Sequence, residues 1–114
     1  YGGEEFCILL PETRAAQAKV IAERIRFRVE AQCGPGVRSI PGLKVTSSFG
    51  IAALEFGADS LKDLIERADQ ALYKAKELGR NRVIRHDEIV AADAAETVEE
   101  LKDAAERLVA GVDR

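Results

Sequence analysis

Two clusters of residues have the types and spacing to do chemistry. At the chain start, Gly2 and Gly3 precede two adjacent carboxylates, Glu4 and Glu5, and then Phe6. Paired glycines permit a tight turn with exposed backbone amides. Adjacent carboxylates offer hard oxygen ligands for a divalent cation, and they repel one another unless a cation or proton intervenes. The turn is a candidate site for a metal-chelated phosphate. The same residues also make an ordinary solvated acidic turn.

The second cluster is Lys76, Gly79, Arg80 and Asn81. Lys76 and Arg80 stand four apart, a spacing that lets both leave one face at a helix end. Gly79 permits a sharp turn there. A lysine as a point charge and an arginine as a planar fork together suit a polyphosphate. Cations at a helix C-terminus also serve simply to complement its dipole. Asp69 and Tyr73, likewise four apart, read as a tertiary hydrogen bond or an exposed pair. His86 is the single histidine and has no partner at catalytic spacing, so Ser-His-Asp and Cys-His chemistry lack support. Cys7 and Cys33 have no metal-ligand spacing and read as buried or free thiols of a reducing compartment.

The elements that position these clusters follow from periodicity and punctuation. Phe6 to Leu10 is an apolar run ended by Pro11 and reads as a buried strand. Thr13 is a candidate N-cap for a helix reaching about Gln32, with Ala18, Ile21, Ala22, Ile25 and Val29 on one face. Arg14, Lys19, Glu23, Arg26 and Glu30 cover the other face. Gly34-Pro35-Gly36 breaks this pattern, and Pro41-Gly42 is a turn. Leu43 to Leu54 alternates through Val45, Ser47, Phe49 and Ile51 and reads as a strand. Ser60 with Asp63 resembles a capping box for a helix running to about Leu78, with Gly79 as its C′ residue. Arg82 to Arg85 is a short final strand.

The last segment differs in charge. Residues 1–86 carry 14 Lys and Arg against 11 Asp and Glu, whereas residues 87–114 carry 3 against 9. The first part suits an anionic ligand, and the second is an acidic tail. Within the tail, Thr97-x-x-Glu100 is a full capping box. Val98, Leu101, Ala105, Leu108 and Val112 follow at spacings of three and four, forming a narrow seam that packs on its own domain or on a second helix. No basic stripe with interleaved aromatics is present, which argues against a nucleic-acid partner. No apolar run approaches the roughly 20 residues of a membrane span. The 114 residues suffice for one small domain, contain no methionine and begin at Tyr1, so the expectation is a piece of a longer chain.

Three blocks carry a family resemblance. They are Tyr1-Gly2-Gly3-Glu4-Glu5-Phe6, then Val45-Thr46-x-Ser48-x-Gly50-Ile51-Ala52, then Ala68-Asp69-x-Ala71-Leu72-Tyr73-x-Ala75-Lys76-x-x-Gly79-Arg80-Asn81-Arg82-Val83. In this order they resemble the second half of a GGDEF domain, the bacterial diguanylate cyclase module, in its GGEEF variant. The resemblance spans residues 1 to about 85. It implies an α+β fold: residues 1–86 as the C-terminal half of a palm-like, ferredoxin-like βαββαβ domain of the nucleotidyl cyclase type. Residues 87–114 follow as an acidic tail with an amphipathic C-terminal helix.

The reaction so implied condenses two GTP into cyclic di-GMP and two pyrophosphates, between two domains that meet face to face. Glu4 matches the family's metal-binding acid, for Mg²⁺ or Mn²⁺, and Glu5 the second catalytic acid of the motif. Gly2 and Gly3 match the glycines that approach the nucleotide. Lys76 and Arg80 match residues that grip the terminal phosphates. Arg24 matches an arginine that, in some members, joins a product-inhibition site on a neighbouring domain. That site's main element, an Arg-x-x-Asp, precedes the glycines in the family. The family's first half also supplies a second metal-binding aspartate, the guanine contacts and the strand between the GGEEF strand and the Val45 to Ile51 strand. The expectation for the 114-residue chain alone is therefore no turnover, with pairing into a homodimer or strand-swapped assembly. The alternative is a degenerate module that binds nucleotide or a protein partner without turnover, or a scaffold assembled through its tail helix. The implied setting is the bacterial cytoplasm, within a longer membrane-associated or response-regulator protein.

Overall fold

The computed structural model describes residues 5–112, with side chains described through Leu108. Helix α2, Leu61–Glu77, is its organising element. Ser60 caps it, its Oγ accepting the Asp63 N–H at 3.0 Å. The reciprocal half of the expected capping box is displaced, because Asp63 is one methylene shorter than glutamate. Its Oδ2 accepts from the Asp59 N–H at 3.3 Å instead and lies 3.1 Å from Arg67 Nη2. Ala71 and Ala75 are completely buried on the inner face. These small residues let a strand come in close to the helix backbone.

That strand is β1, Phe49–Ile51, and it runs parallel to β2, Val83–Arg85. Phe49 sits opposite Val83, Gly50 opposite Ile84 and Ile51 opposite Arg85. The β1–α2–β2 path is a crossover unit, as a parallel pair requires. Gly50 has no room for a side chain: a Cβ there would stand 2.1 Å from the Ala68 carbonyl oxygen and 2.2 Å from the Leu72 nitrogen. The expected strand from Leu43 to Leu54 is thus realised only over its middle. After Ala53 the chain tightens into a single 3₁₀ turn, Leu54–Phe56, ended by Gly57 at φ 86°.

Helix α1, Ala15–Arg28, packs on both strands, with Ala15 and Ala22 buried, and continues as a π turn, Val29–Cys33. Arg14, not Thr13, occupies its N-cap position. The Thr13 hydroxyl donates to the Pro11 carbonyl at 2.9 Å, and the orphan amide of Ala15 donates to Glu55 Oε1 at 2.7 Å. A carboxylate from the 3₁₀ turn does the work the sequence ascribes to Thr13.

The apolar run Phe6 to Leu10 is not a strand. Phe6 is 88 % exposed, Ile8 60 % and Leu9 64 %, and Cys7 is exposed with them. A strand needs a ladder partner, and among the described residues the only pairing is β1 with β2. The buried hydrophobic core is accordingly small: Ala15, Ala22, Ala71, Ala75 and Val83.

Helix α3, His86–Val112, starts directly after β2. The corner is held by Arg85, whose Nε and Nη2 reach Asp87 Oδ1 and Oδ2 at 2.9 and 2.7 Å. That hydrogen bond raises the Arg85 pKa above its ordinary value, so the guanidinium stays charged at any working pH. The Lys19 ammonium also meets Glu88 Oε1 at 2.8 Å, tying α1 to the first turn of α3. Thr97 does not begin a helix. It lies inside α3 and its hydroxyl donates back to the Asp93 carbonyl at 3.0 Å, which removes it as a cap. The seam does not pack on the body: Val98 is 50 %, Leu101 65 % and Leu108 73 % exposed. The chain measures 72 × 36 × 24 Å with a radius of gyration of 19.5 Å. A compact chain of this length has about 13 Å, and the projecting α3 accounts for the excess.

Candidate functional site

The site is built around the end of α2. Leu78 is the C-cap, the Gly79 N–H donates to the Lys76 carbonyl at 3.2 Å, and the Arg80 N–H donates to the Ala75 carbonyl at 2.9 Å. This pair of bonds is a Schellman motif with Gly79 at C′, where φ is 118°. The turn then continues left-handed through two non-glycine residues, Arg80 at φ 64° and Asn81 at φ 49°. Each such residue costs on the order of 1 kcal/mol, least for asparagine. Lys76 and Arg80 therefore do not share a helix face. Lys76 leaves the last turn of α2, while Arg80 leaves the reversal beyond it, because Gly79 ends the helix between them.

The strained turn is clamped at Asn81. Its N–H donates to Ser48 Oγ at 3.0 Å, just before β1. Its Oδ1 accepts from Arg26 Nη1 at 2.9 Å, and its Nδ2 donates to Glu30 Oε2. Arg26 is itself steadied by Glu23 Oε2 at 2.9 Å from its Nε. Arg26 and Glu30 stand four apart across the junction of α1 and the π turn, so both reach the same point. The Arg82 Nε closes the turn on the Arg80 carbonyl at 3.0 Å, and the Arg82 carbonyl accepts the Phe49 N–H at 2.9 Å.

In the last turn of α2, Lys76 Nζ lies 3.0 Å from Glu5 Oε1, with both side chains about two-thirds covered. The second carboxylate of the GGEEF motif and the lysine at the end of α2 are thus brought together. The Arg80 side chain is exposed. Gly2, Gly3 and Glu4 lie outside the described residues. Arg24 is exposed on α1. Asp69 and Tyr73 are both exposed on α2, and His86 Nε2 lies 2.9 Å from Gln70 Oε1. Both cysteines are exposed free thiols rather than buried ones.

The fit to a divalent cation can be judged from Glu5. Its carboxylate is neutralised by an ammonium, which repels a metal ion. Among the described residues no three His, Cys, Asp or Glu side chains gather. The described part of the site does not by itself fit a metal. Sequence reasoning missed Ser48, Arg26 and Glu30. Arg26 and Glu30 read as a solvent-facing stripe of α1, and only the return of the chain at Asn81 gives them an inward partner.

Comparison with known proteins gives the family. The family model for the GGDEF domain of diguanylate cyclases matches residues 1–82. Diguanylate cyclase A of Treponema denticola is 45 % identical over 87 residues, covering 73 % of this chain and 22 % of that protein. The response regulator PleD of Caulobacter vibrioides is 42 % identical over 84 residues, 74 % of this chain and 18 % of the relative. Diguanylate cyclase DgcM of Escherichia coli is 46 % identical over 85 residues, 74 % and 19 %. The chain thus spans about a fifth of the length of these relatives. No helix among the described residues is long and apolar enough to cross a membrane. Mixed helices with a small parallel sheet are compatible with the family's α+β fold, and the chain belongs to the GGDEF family.

Proposed function

We propose that this chain is part of the catalytic domain of a diguanylate cyclase, a nucleotidyltransferase that condenses two GTP into cyclic di-GMP and two pyrophosphates. Residues 1–86 are the C-terminal half of a palm-like βαββαβ domain, and residues 87–114 are an acidic tail. The observation that carries this is the 3.0 Å approach of Lys76 to Glu5, which brings the second carboxylate of the GGEEF motif to the end of α2. The curated relatives named as diguanylate cyclases support the choice of reaction.

The roles follow from the chemistry of each group. Lys76 and Arg80 hold the terminal phosphates of GTP, one as a point charge and one as a fork. Gly2 and Gly3 let the backbone approach the nucleotide without a Cβ clash. Glu5 orients Lys76. The 3′-hydroxyl of one GTP attacks the α-phosphorus of the other, forming a 3′ O–P bond as the bond to pyrophosphate breaks. Each domain holds one GTP, so the working unit is a homodimer. Mg²⁺ or Mn²⁺, where bound, would supply Lewis-acid chemistry at the attacking hydroxyl and offset phosphate charge. Glu4 is the residue we assign to ligate it. Arg24 serves product inhibition from α1. GTP as substrate places the reaction in the cytoplasm.

The isolated chain binds nucleotide without turnover. Its apolar run at Phe6 to Leu10 and the free edge of β1 await a strand between them, supplied by an upstream half or a second copy. Equilibrium binding of GTP to the 114-residue chain, with Mg²⁺ present and products analysed, tests this. Saturable binding that weakens at least about tenfold in both Lys76→Ala and Arg80→Ala, with no cyclic di-GMP, is expected. Binding indifferent to both substitutions overturns the phosphate site, and product from the isolated chain overturns the requirement for a further strand.

A further inference from the structure

We infer that Asn81 is a positioning residue for Arg80: its three-way clamp holds the turn after α2 in the left-handed path that presents the Arg80 guanidinium to phosphate. The inference rests on the proposed phosphate-binding role of Lys76 and Arg80. Arg80 at φ 64° and Asn81 at φ 49° adopt a conformation that L side chains rarely take. Left to itself, such a turn relaxes, and the direction in which the Arg80 side chain leaves the backbone changes. Something must over-determine it.

The structure supplies that determinant from outside the turn. Three groups of Asn81 are engaged: its N–H by Ser48, its Oδ1 by Arg26 and its Nδ2 by Glu30. The three partners belong to two different elements, the chain entering β1 and the α1–π junction. Polarity is matched, with a cationic donor on the amide oxygen and an anionic acceptor on the amide nitrogen. A hydrophobic or reversed side chain cannot satisfy both. Arg80 itself needs no partner to be placed, because the clamp fixes the residue next to it and Arg82 Nε holds its carbonyl.

The polarity match gives a rescue test on the whole 114-residue chain. NMR backbone couplings report the φ of Arg80, and titration with inorganic tripolyphosphate reports the site. Asn81→Ala should shift Arg80 out of the left-handed region and weaken tripolyphosphate at least about tenfold. Asn81→Asp should do the same, because a carboxylate then faces Glu30. Adding Glu30→Gln to Asn81→Asp returns an amide donor to that contact and should restore both readouts. A generally destabilised fold does not predict rescue by this pair. If Arg80 keeps its left-handed coupling in Asn81→Ala, or the pair fails to rescue the coupling, the clamp is wrong. If the unaltered chain shows no tripolyphosphate binding while the couplings behave as expected, the phosphate site fails and the clamp stands.

Discussion

Lys76 Nζ and Glu5 Oε1 stand 3.0 Å apart, joining positions 71 residues distant in the chain. A partly exposed pair of this kind contributes no more than about 1 kcal/mol to folding. Its larger consequence is competition: an incoming phosphate must take the ammonium from Glu5. Glu5→Gln should therefore tighten metal-free tripolyphosphate binding several-fold, while leaving the urea midpoint nearly unchanged. Isothermal titration of both proteins checks this, and weaker binding in Glu5→Gln contradicts the competition.

The contact between β1 and α2 depends on a missing side chain. Gly50→Ala places a Cβ 2.1 Å from the Ala68 carbonyl oxygen and 2.2 Å from the Leu72 nitrogen, both backbone atoms that cannot yield singly. A loss of about 3 kcal/mol or more, or failure to fold, is expected. Gly42→Ala is the control. Its φ is 81° but nothing lies within 4 Å of the added carbon, so the cost is confined to backbone conformation at about 1 kcal/mol. Urea denaturation separates the two.

Capping supplies a second stability contrast. Ser60→Ala removes the acceptor for the Asp63 amide and should cost about 1 kcal/mol. Thr13→Ala should cost less than about 0.5 kcal/mol, because Thr13 makes only a local bond to Pro11 and leaves the α1 amides to Glu55. Equal losses in the two variants contradict the assigned caps.

The outer part of α3 stands away from the body. Every residue from Val90 through Leu108 is exposed. Truncation after Glu96 should lower the helical circular dichroism signal yet leave the urea midpoint of the remainder within the error of measurement. A drop in that midpoint at fixed protein concentration contradicts the absence of packing. A drop in mass by light scattering assigns the seam to assembly.

Legibility in the sequence divided along local and non-local lines. Helix α2, its Ser60 cap and its Gly79 stop are decided by groups within five residues of each other, and all three could be read directly. Phe6 to Leu10 could not, since an apolar run states what would pair and not whether a partner is in reach. Thr97 failed for a related reason. A threonine hydroxyl caps a helix or bonds back to the fourth preceding carbonyl according to whether the chain arrives already helical, which Asp93 settles here. Of the site, Lys76 and Glu5 were legible as chemistry but not as a pair. The Asn81 clamp was invisible because Ser48 lies in a different segment from Arg26 and Glu30, and all three are remote from Asn81 in the chain.

The most direct test of the central claim is turnover in a complete domain. Residues 1–82 of this chain, exchanged for the matching segment of the Treponema denticola diguanylate cyclase A to which it is 45 % identical, provide one. Cyclic di-GMP formation from GTP by the purified chimera is the measurement. The account predicts product, reduced at least about a hundredfold in kcat/KM by Arg80→Ala. A folded, dimeric chimera that makes none contradicts it.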